Sequence, residues 1–149
     1  MKIKNKKFEI EFIGDTQLKK FLRASKDRLK KLSEYFQILH QNEDQTMITI
    51  KIVSNEEIKI LNKKFRKKNK VTDVLSFPDE HASGDIAIAE SYILHKNQTI
   101  NARNFFMLVG HGLLHLFGYT HYDKQSRSNM RFLENTFMLM LGLKKVHED

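Results

Sequence analysis

Between Phe105 and Phe117 the chain is apolar on nearly every face of a helix, and the polar exceptions are two histidines, His111 and His115. A helix without a polar face belongs in a core. The fold must therefore be built around residues 101–117, with two imidazoles carried into it or against it. Buried polar groups need partners, and one ion can satisfy both rings. Four residues apart on a helix, the two Cβ atoms lie about 6 Å from each other on one face. Both rings can then converge on an ion at zinc–nitrogen distances of about 2.0–2.1 Å. Gly118 suits a left-handed cap that ends the helix sharply, and His121 can swing back as a third ligand. Three histidines leave a tetrahedral ion one open position for water, which is the catalytic rather than the structural pattern. Imidazole ligands favour zinc, while nickel, copper and iron also accept them.

The remaining pattern supplies both strands and helices. Phe8, Ile10 and Phe12 alternate with Glu9 and Glu11, the period of a half-buried strand. Leu18, Phe21, Leu22, Leu29, Leu32, Phe36 and Leu39 form one apolar stripe, which predicts a single long helix. Its other face carries Lys19, Lys20, Arg23, Lys26, Lys30 and Lys31, a solvated face unless it touches RNA. Residues 46–53 are rich in β-branched side chains and read as a strand. Ser54 followed by Glu57 is a capping box that opens a helix, with Ile58, Leu61 and Phe65 as its expected buried stripe. That helix runs out in the basic loop Arg66-Lys67-Lys68-Asn69-Lys70. Val74–Phe77 reads as a short strand stopped by Pro78, and Gly84–Ile88 as another, preceded by a loop. After the central helix comes an amphipathic one, with Met130, Leu133, Phe137 and Leu141 on one face and Gly142 as its stop. The sum is an α+β fold with about four strands, and no repeat or low-complexity tract interrupts it.

A chain of 149 residues suits one domain, residues 1–149. It has no cysteine, which excludes disulfides, thiolate metal sites and cysteine nucleophiles. The N-terminal lysines are followed by Phe8-Glu9-Ile10-Glu11-Phe12 rather than an apolar run, so no signal peptide is expected. No apolar stretch approaches the roughly 18 residues of a membrane span. A cytoplasmic location is the expectation. The formal charge of +8, from 26 basic and 18 acidic residues, attracts polyanions, of which nucleic acid is the commonest. Simple solubility accounts for the charge equally well.

The histidine spacing equals that of the metzincin proteases, His-Glu-x-x-His-x-x-Gly-x-x-His, with one decisive difference. Gly112 stands where those enzymes carry their general base. Glycine takes no proton, which argues against peptide hydrolysis by that route. What remains is water activated by the ion itself, whose pKa falls to about 7.

The segment His111-Gly-Leu-Leu-His115-Leu-Phe-Gly118-Tyr-Thr-His121 resembles the signature of the YbeY family, His-Gly-x-Leu-His-Leu-x-Gly-Tyr-Asp-His. Two further segments match in order. They are Leu61-Asn62-Lys63-Lys64-Phe65-Arg66 running on to Thr72-Asp73-Val74-Leu75-Ser76-Phe77-Pro78, and Gly84-Asp85-Ile86. The resemblance implies a zincin-like fold, a mixed sheet packed with helices, with the metal site at the end of the buried helix. It implies a metal-dependent, single-strand-specific endoribonuclease acting in rRNA maturation, notably at the 3′ end of the small-subunit RNA, and in ribosome quality control. On this resemblance His111, His115 and His121 are the zinc ligands and Arg66 is the functional arginine beside them. The small ribosomal subunit, a ribosomal protein or a GTPase are the implied partners. Thr120 departs from the family's aspartate. A carboxylate there would orient a ligand histidine, so Asp85 and Asp123 become the candidates to replace it, while Asp73 is a separate candidate that caps the loop or positions a neighbour.

Cleavage of RNA builds negative charge at phosphorus, which a metal and a guanidinium stabilise. Arg66 offers a bidentate fork for phosphate, and Lys67, Lys68 and Lys70 can track the backbone. His115 and Arg66 are the catalytic candidates. Ser76 can face the same cleft. Phe77 and Tyr119 can stack on bases, though core packing is their default. No general base is evident, so attack by activated water and attack by the 2′-hydroxyl both stay open. The rivals are a non-catalytic RNA- or ribosome-binding assembly factor with a structural metal, and a metal hydrolase of another substrate.

Overall fold

The computed structural model describes residues 1–41, 44–79 and 83–148. Five strands make one sheet in the order β1-β2-β3-β5-β4: β1 (Lys2–Lys4), β2 (Phe8–Ile13), β3 (Thr46–Val53), β4 (Val74–Pro78) and β5 (Gly84–Ala89). The pairs β2–β3 and β3–β5 are parallel, while β1–β2 and β4–β5 are antiparallel, so the sheet is mixed. With the helices α1 (Thr16–Ala24), α2 (Lys26–Leu39), α3 (Asn55–Arg66), α4 (Ala102–Leu116) and α5 (Lys124–Met140), the chain is α+β as expected. Among the described residues no helix is long and apolar enough to cross a membrane.

Alternation along the strands divides the core. Phe8, Ile10, Phe12, Ile48, Ile50, Ile86 and Ile88 point to one face, where they pack with apolar residues of α1, α2, α4 and α5. The other face is covered more thinly, by Ile58 of α3 against Val53, Leu75, Ala87 and Ala89. Helix α4 is buried along most of its length, as its all-round apolar sequence requires.

Three expectations need correction. The stripe from Leu18 to Leu39 belongs to two helices. At Ser25 the backbone leaves helical geometry, and its hydroxyl donates to the Phe21 carbonyl at 2.8 Å. Such back-bonding competes with the helical ladder and bends it. The stripe stays continuous because both helices face the same core. The sheet has a fifth strand, β1, which its lysines hid. The Asn5 side chain builds the tight connection to β2 by accepting from the N–H groups of Lys7 at 2.7 Å and Phe8 at 2.9 Å. Phe65 is not in the buried stripe of α3. It is 53% exposed and lies edge-on to Phe77, while Asn62 takes the buried position. The loop expected ahead of Gly84 lies partly outside the described residues.

Candidate functional site

The end of α4 makes the first half of the site. Gly118 has φ +97°, a conformation that costs any residue with a Cβ. Its N–H donates to the His115 carbonyl and that of Tyr119 to the Leu114 carbonyl, both at 3.0 Å. This is a Schellman cap. The turn brings the Tyr119 carbonyl to 3.1 Å from His115 Nδ1. A carbonyl only accepts, so Nδ1 carries the proton and Nε2 keeps its lone pair.

The second half comes from α5. Glu134 is only 8% exposed. Its Oε2 lies 2.9 Å from His111 Nδ1 and its Oε1 lies 3.1 Å from His147 Nε2. Burial pushes the Glu134 carboxyl up, but the two imidazoles outweigh it and hold the carboxyl below its ordinary range. It is therefore ionised at neutral pH and accepts from His111 Nδ1. The segment carrying His147 is fixed by Asn135, whose side-chain oxygen accepts from the N–H groups of Val146 and His147 at 2.8 and 2.9 Å.

The two anchored rings face each other, with 3.0 Å between His111 Nε2 and His115 Nε2. Burial, then the neighbouring His111, lowers the His115 pKa, so that ring is neutral near pH 7. Two lone pairs at this distance repel, and a shared cation, a proton or a metal ion, reconciles them. His121 completes the group, its ring centroid 5.1 Å from His115 and 6.1 Å from His111. Among the described residues neither nitrogen of His121 has a hydrogen-bond partner. As they stand, no three His, Asp or Glu side chains among these residues form a closed ligand set. Metal binding thus requires the rings to draw together from this arrangement. The donor chemistry fits a divalent ion: two Nδ1-anchored imidazoles present Nε2 to one point, with a third imidazole alongside.

A groove of about 530 Å³ opens beside the three histidines, lined also by Arg66, Lys68, Lys70, Thr72 and Ser76. Buried Asn62 shapes its wall by donating to the Lys70 carbonyl at 2.9 Å. Arg66 donates through Nη2 to the Ser76 carbonyl at 2.7 Å, which holds the guanidinium at the groove wall. Lys67 does not line it. That residue is the left-handed cap of α3, with φ 61°. Tyr122, 89% exposed, stands at the groove beside His121.

The candidate carboxylates separate clearly. Asp73 receives the Val74 N–H at 2.8 Å and lines a second cavity with His111, His121 and Glu134. Asp85 is exposed, and since Ile86 faces Gly112 of α4, strand alternation puts Asp85 on the opposite sheet face. Asp123 caps α5 by accepting from the Ser126 N–H at 2.8 Å. Thr120 is half-buried and forms no hydrogen bond among the described residues. Among the described residues, the carboxylate bonded to a histidine of the cluster is Glu134, which sequence reasoning missed. One signal was available: an acid among Met130, Phe137, Met138 and Leu141 on the apolar face of a helix. The position of Gly112 also gains a physical reason. A Cβ there would meet Ile86 at 3.0 Å and the Ser76 hydroxyl at 3.4 Å. That hydroxyl donates to the Gly112 carbonyl at 3.1 Å. A glutamate at this position would therefore crowd Ile86 and the Ser76 hydroxyl, which would have to give way by a few tenths of an ångström.

A mixed sheet with a buried helix, whose capped end presents clustered histidines beside a basic groove, defines an α+β fold of the zincin-like kind. Within that class, the sequence model described as Endoribonuclease YbeY matches residues 4–142. A relative from Buchnera aphidicola (subspecies Acyrthosiphon pisum), named Endoribonuclease YbeY, is 37% identical over 121 residues, covering 74% of this chain and 77% of its own. One of the same name from Coxiella burnetii is 31% identical over 123 residues, 76% of this chain and 81% of its own. The solution structure of a Thermotoga maritima protein superposes with a TM-score of 0.60 at 25% identity, covering 89% of this chain and 88% of that one. The chain belongs to the YbeY endoribonuclease family.

Proposed function

We propose that this protein is a metal-dependent, single-strand-specific endoribonuclease that works in rRNA maturation at the 3′ end of the small-subunit RNA and in ribosome quality control. One observation carries the metal dependence: the 3.0 Å approach of two imidazole nitrogens whose other nitrogens are each held by an acceptor. Zinc is the favoured ion, with nickel the alternative. When bound, such an ion supplies Lewis acidity at a phosphate oxygen and an activated water. His111, His115 and His121 would hold it.

The protein's own groups do the rest. Arg66, already fixed by one hydrogen bond to Ser76, keeps its remaining donors for the scissile phosphate. Lys68 and Lys70 hold adjoining phosphates along the groove. Tyr122 offers an exposed ring on which an unpaired base can stack. A groove recognising single strands this way suits rRNA within the small ribosomal subunit, in the cytoplasm, where a ribosomal protein or GTPase can present it. Gly112 itself offers no carboxylate to act as a protease-type base.

The test is incubation of zinc-loaded protein with unstructured RNA and with casein, with and without chelator. The expected result is RNA cleavage that chelator abolishes and intact casein. His115→Ala should lose both stoichiometric metal and cleavage. Undiminished cleavage by metal-free His115→Ala protein overturns the proposal.

A further inference from the structure

The histidines form a wall between two clefts. His111 and His121 line the Arg66 groove on one side and a cavity of about 370 Å³ on the other. That second cavity is walled by Arg127 and Arg131 of α5. Both arginines, with His147, also line a wider trough of about 660 Å³ that adds Lys124, Lys145 and Phe132. The Arg66 groove and the cavity thus share His111 and His121, and the cavity and the trough on the outer face of α5 share Arg127, Arg131 and His147.

Arg127 and Arg131 are exposed and stand one helical turn apart. Among the described residues neither guanidinium has a hydrogen bond or ion pair, unlike that of Arg66. The nearby acids are largely engaged. Glu134 is held by two imidazoles, Glu148 lies 3.9 Å from Lys145, and Asp123, which attracts Arg127, accepts at the helix cap. Asp73 is the acid that remains in the cavity, and its Oδ1 receives the Val74 N–H. Free guanidiniums facing a cleft are phosphate ligands in waiting. Phe132, 68% exposed in the trough, adds a stacking surface of the kind that single strands use.

We propose that the outer face of α5, through Arg127 and Arg131, is a second RNA-binding track that holds the strand on the far side of the histidines from Arg66. The proposal rests on the endoribonuclease function proposed above. A strand cut internally continues on both sides of the scissile phosphate, and these are the two sides the fold offers. The track takes backbone phosphates of single-stranded RNA, with Phe132 under an adjacent base.

The probe is a fluorescent 2′-O-methyl oligouridylate, chosen to resist cleavage. It is titrated with the full-length protein at several salt concentrations, with anisotropy as readout. Arg127→Gln/Arg131→Gln should bind about tenfold more weakly than the wild type, with a salt slope shallower by about 1.4, the loss expected for two single-strand phosphate contacts. Lys19→Gln/Lys20→Gln removes equal charge from the exposed face of α1 and should leave affinity and slope unchanged.

Unchanged binding by the arginine pair, or an equal loss in the lysine pair, overturns the track. In either case a loss in Arg66→Gln leaves the endoribonuclease function standing. Absence of RNA binding by the wild type overturns both. If the arginine pair keeps RNA affinity and loses affinity for polyglutamate, the face serves an acidic protein and the track is wrong.

Discussion

His111 and His115 stand one turn apart on the same helix, yet two different regions of the molecule hold them. The end of α4 holds His115, through the main-chain carbonyl of Tyr119 that the Gly118 cap brings into place. Helix α5 and the segment after it hold His111, through a buried carboxylate that His147 braces from the other side. The first anchor is a neutral dipole built from adjacent residues. The second is a charge delivered across the fold. A carboxylate behind an imidazole raises its basicity and fixes its tautomer, so the two ligands should differ in strength as well as in how they are assembled. The α5 region should therefore govern affinity for an ion, and the cap region should govern the shape of the site.

Glu134→Ala breaks the comparison most severely. It removes the charge behind His111 and should lower zinc affinity by about 10- to 100-fold, the usual effect of deleting an outer-shell partner. Competition with a chromophoric chelator measures it, and a wild-type affinity would show that the cap alone organises the site. Gly118→Val attacks the other region. A β-branched residue forced to φ +97° costs about 1–3 kcal/mol, read as a lower urea midpoint. Its effect on zinc affinity should be the smaller of the two.

Acid should act on the two regions in turn. The folded-state pKa of His115 is lowered from 6.5 and that of Glu134 from 4.5. In each case the unfolded chain takes up a proton that the folded protein resists. Stability of the metal-free protein should therefore decline as pH falls below about 6.5, and decline further below about 4.5. In Glu134→Gln the second decline should be shallower while the first persists. Urea midpoints across pH separate the two steps.

How legible each region was in the sequence follows from the same difference. Gly118 announced its cap, Ser54 its N-terminal hydrogen bond and the apolar run its burial, because each depends on neighbours within one turn. Strand β2 was legible from alternation, β3 from its β-branched residues and β4 from the stop at Pro78, whereas β1 was not, because its connection rests on an asparagine rather than a glycine. The break at Ser25 was hidden because one stripe serves two helices. Arg66 was legible from the family motif alone. Its bond to Ser76 joins a helix end to an edge strand, which no spacing rule anticipates. Glu134 was not legible because no family motif contains it and no spacing rule marks it: it lies 23 residues from His111 and reaches it only through the packing of α5 on α4, whereas Asp73 and Asp85 stand in the matching motifs and Asp123 just after His121.

Thr120 offers the smallest and sharpest test, because it sits where the family's aspartate would stand and beside the cap region. His111 and His115 already have their Nδ1 partners, so a carboxylate at position 120 has nothing to add to either. Among the described residues His121 is the ligand candidate without a hydrogen-bond partner, and it is one residue away. Thr120→Asp should thus change zinc affinity by less than about tenfold, the lower bound for a true outer-shell anchor, and should leave the urea midpoint close to the wild type. A gain of tenfold or more would show that His121 is the weak member and that the threonine keeps it so. The decisive weakness would then lie in the cap region, and the division of labour between the two anchors would have to be reversed.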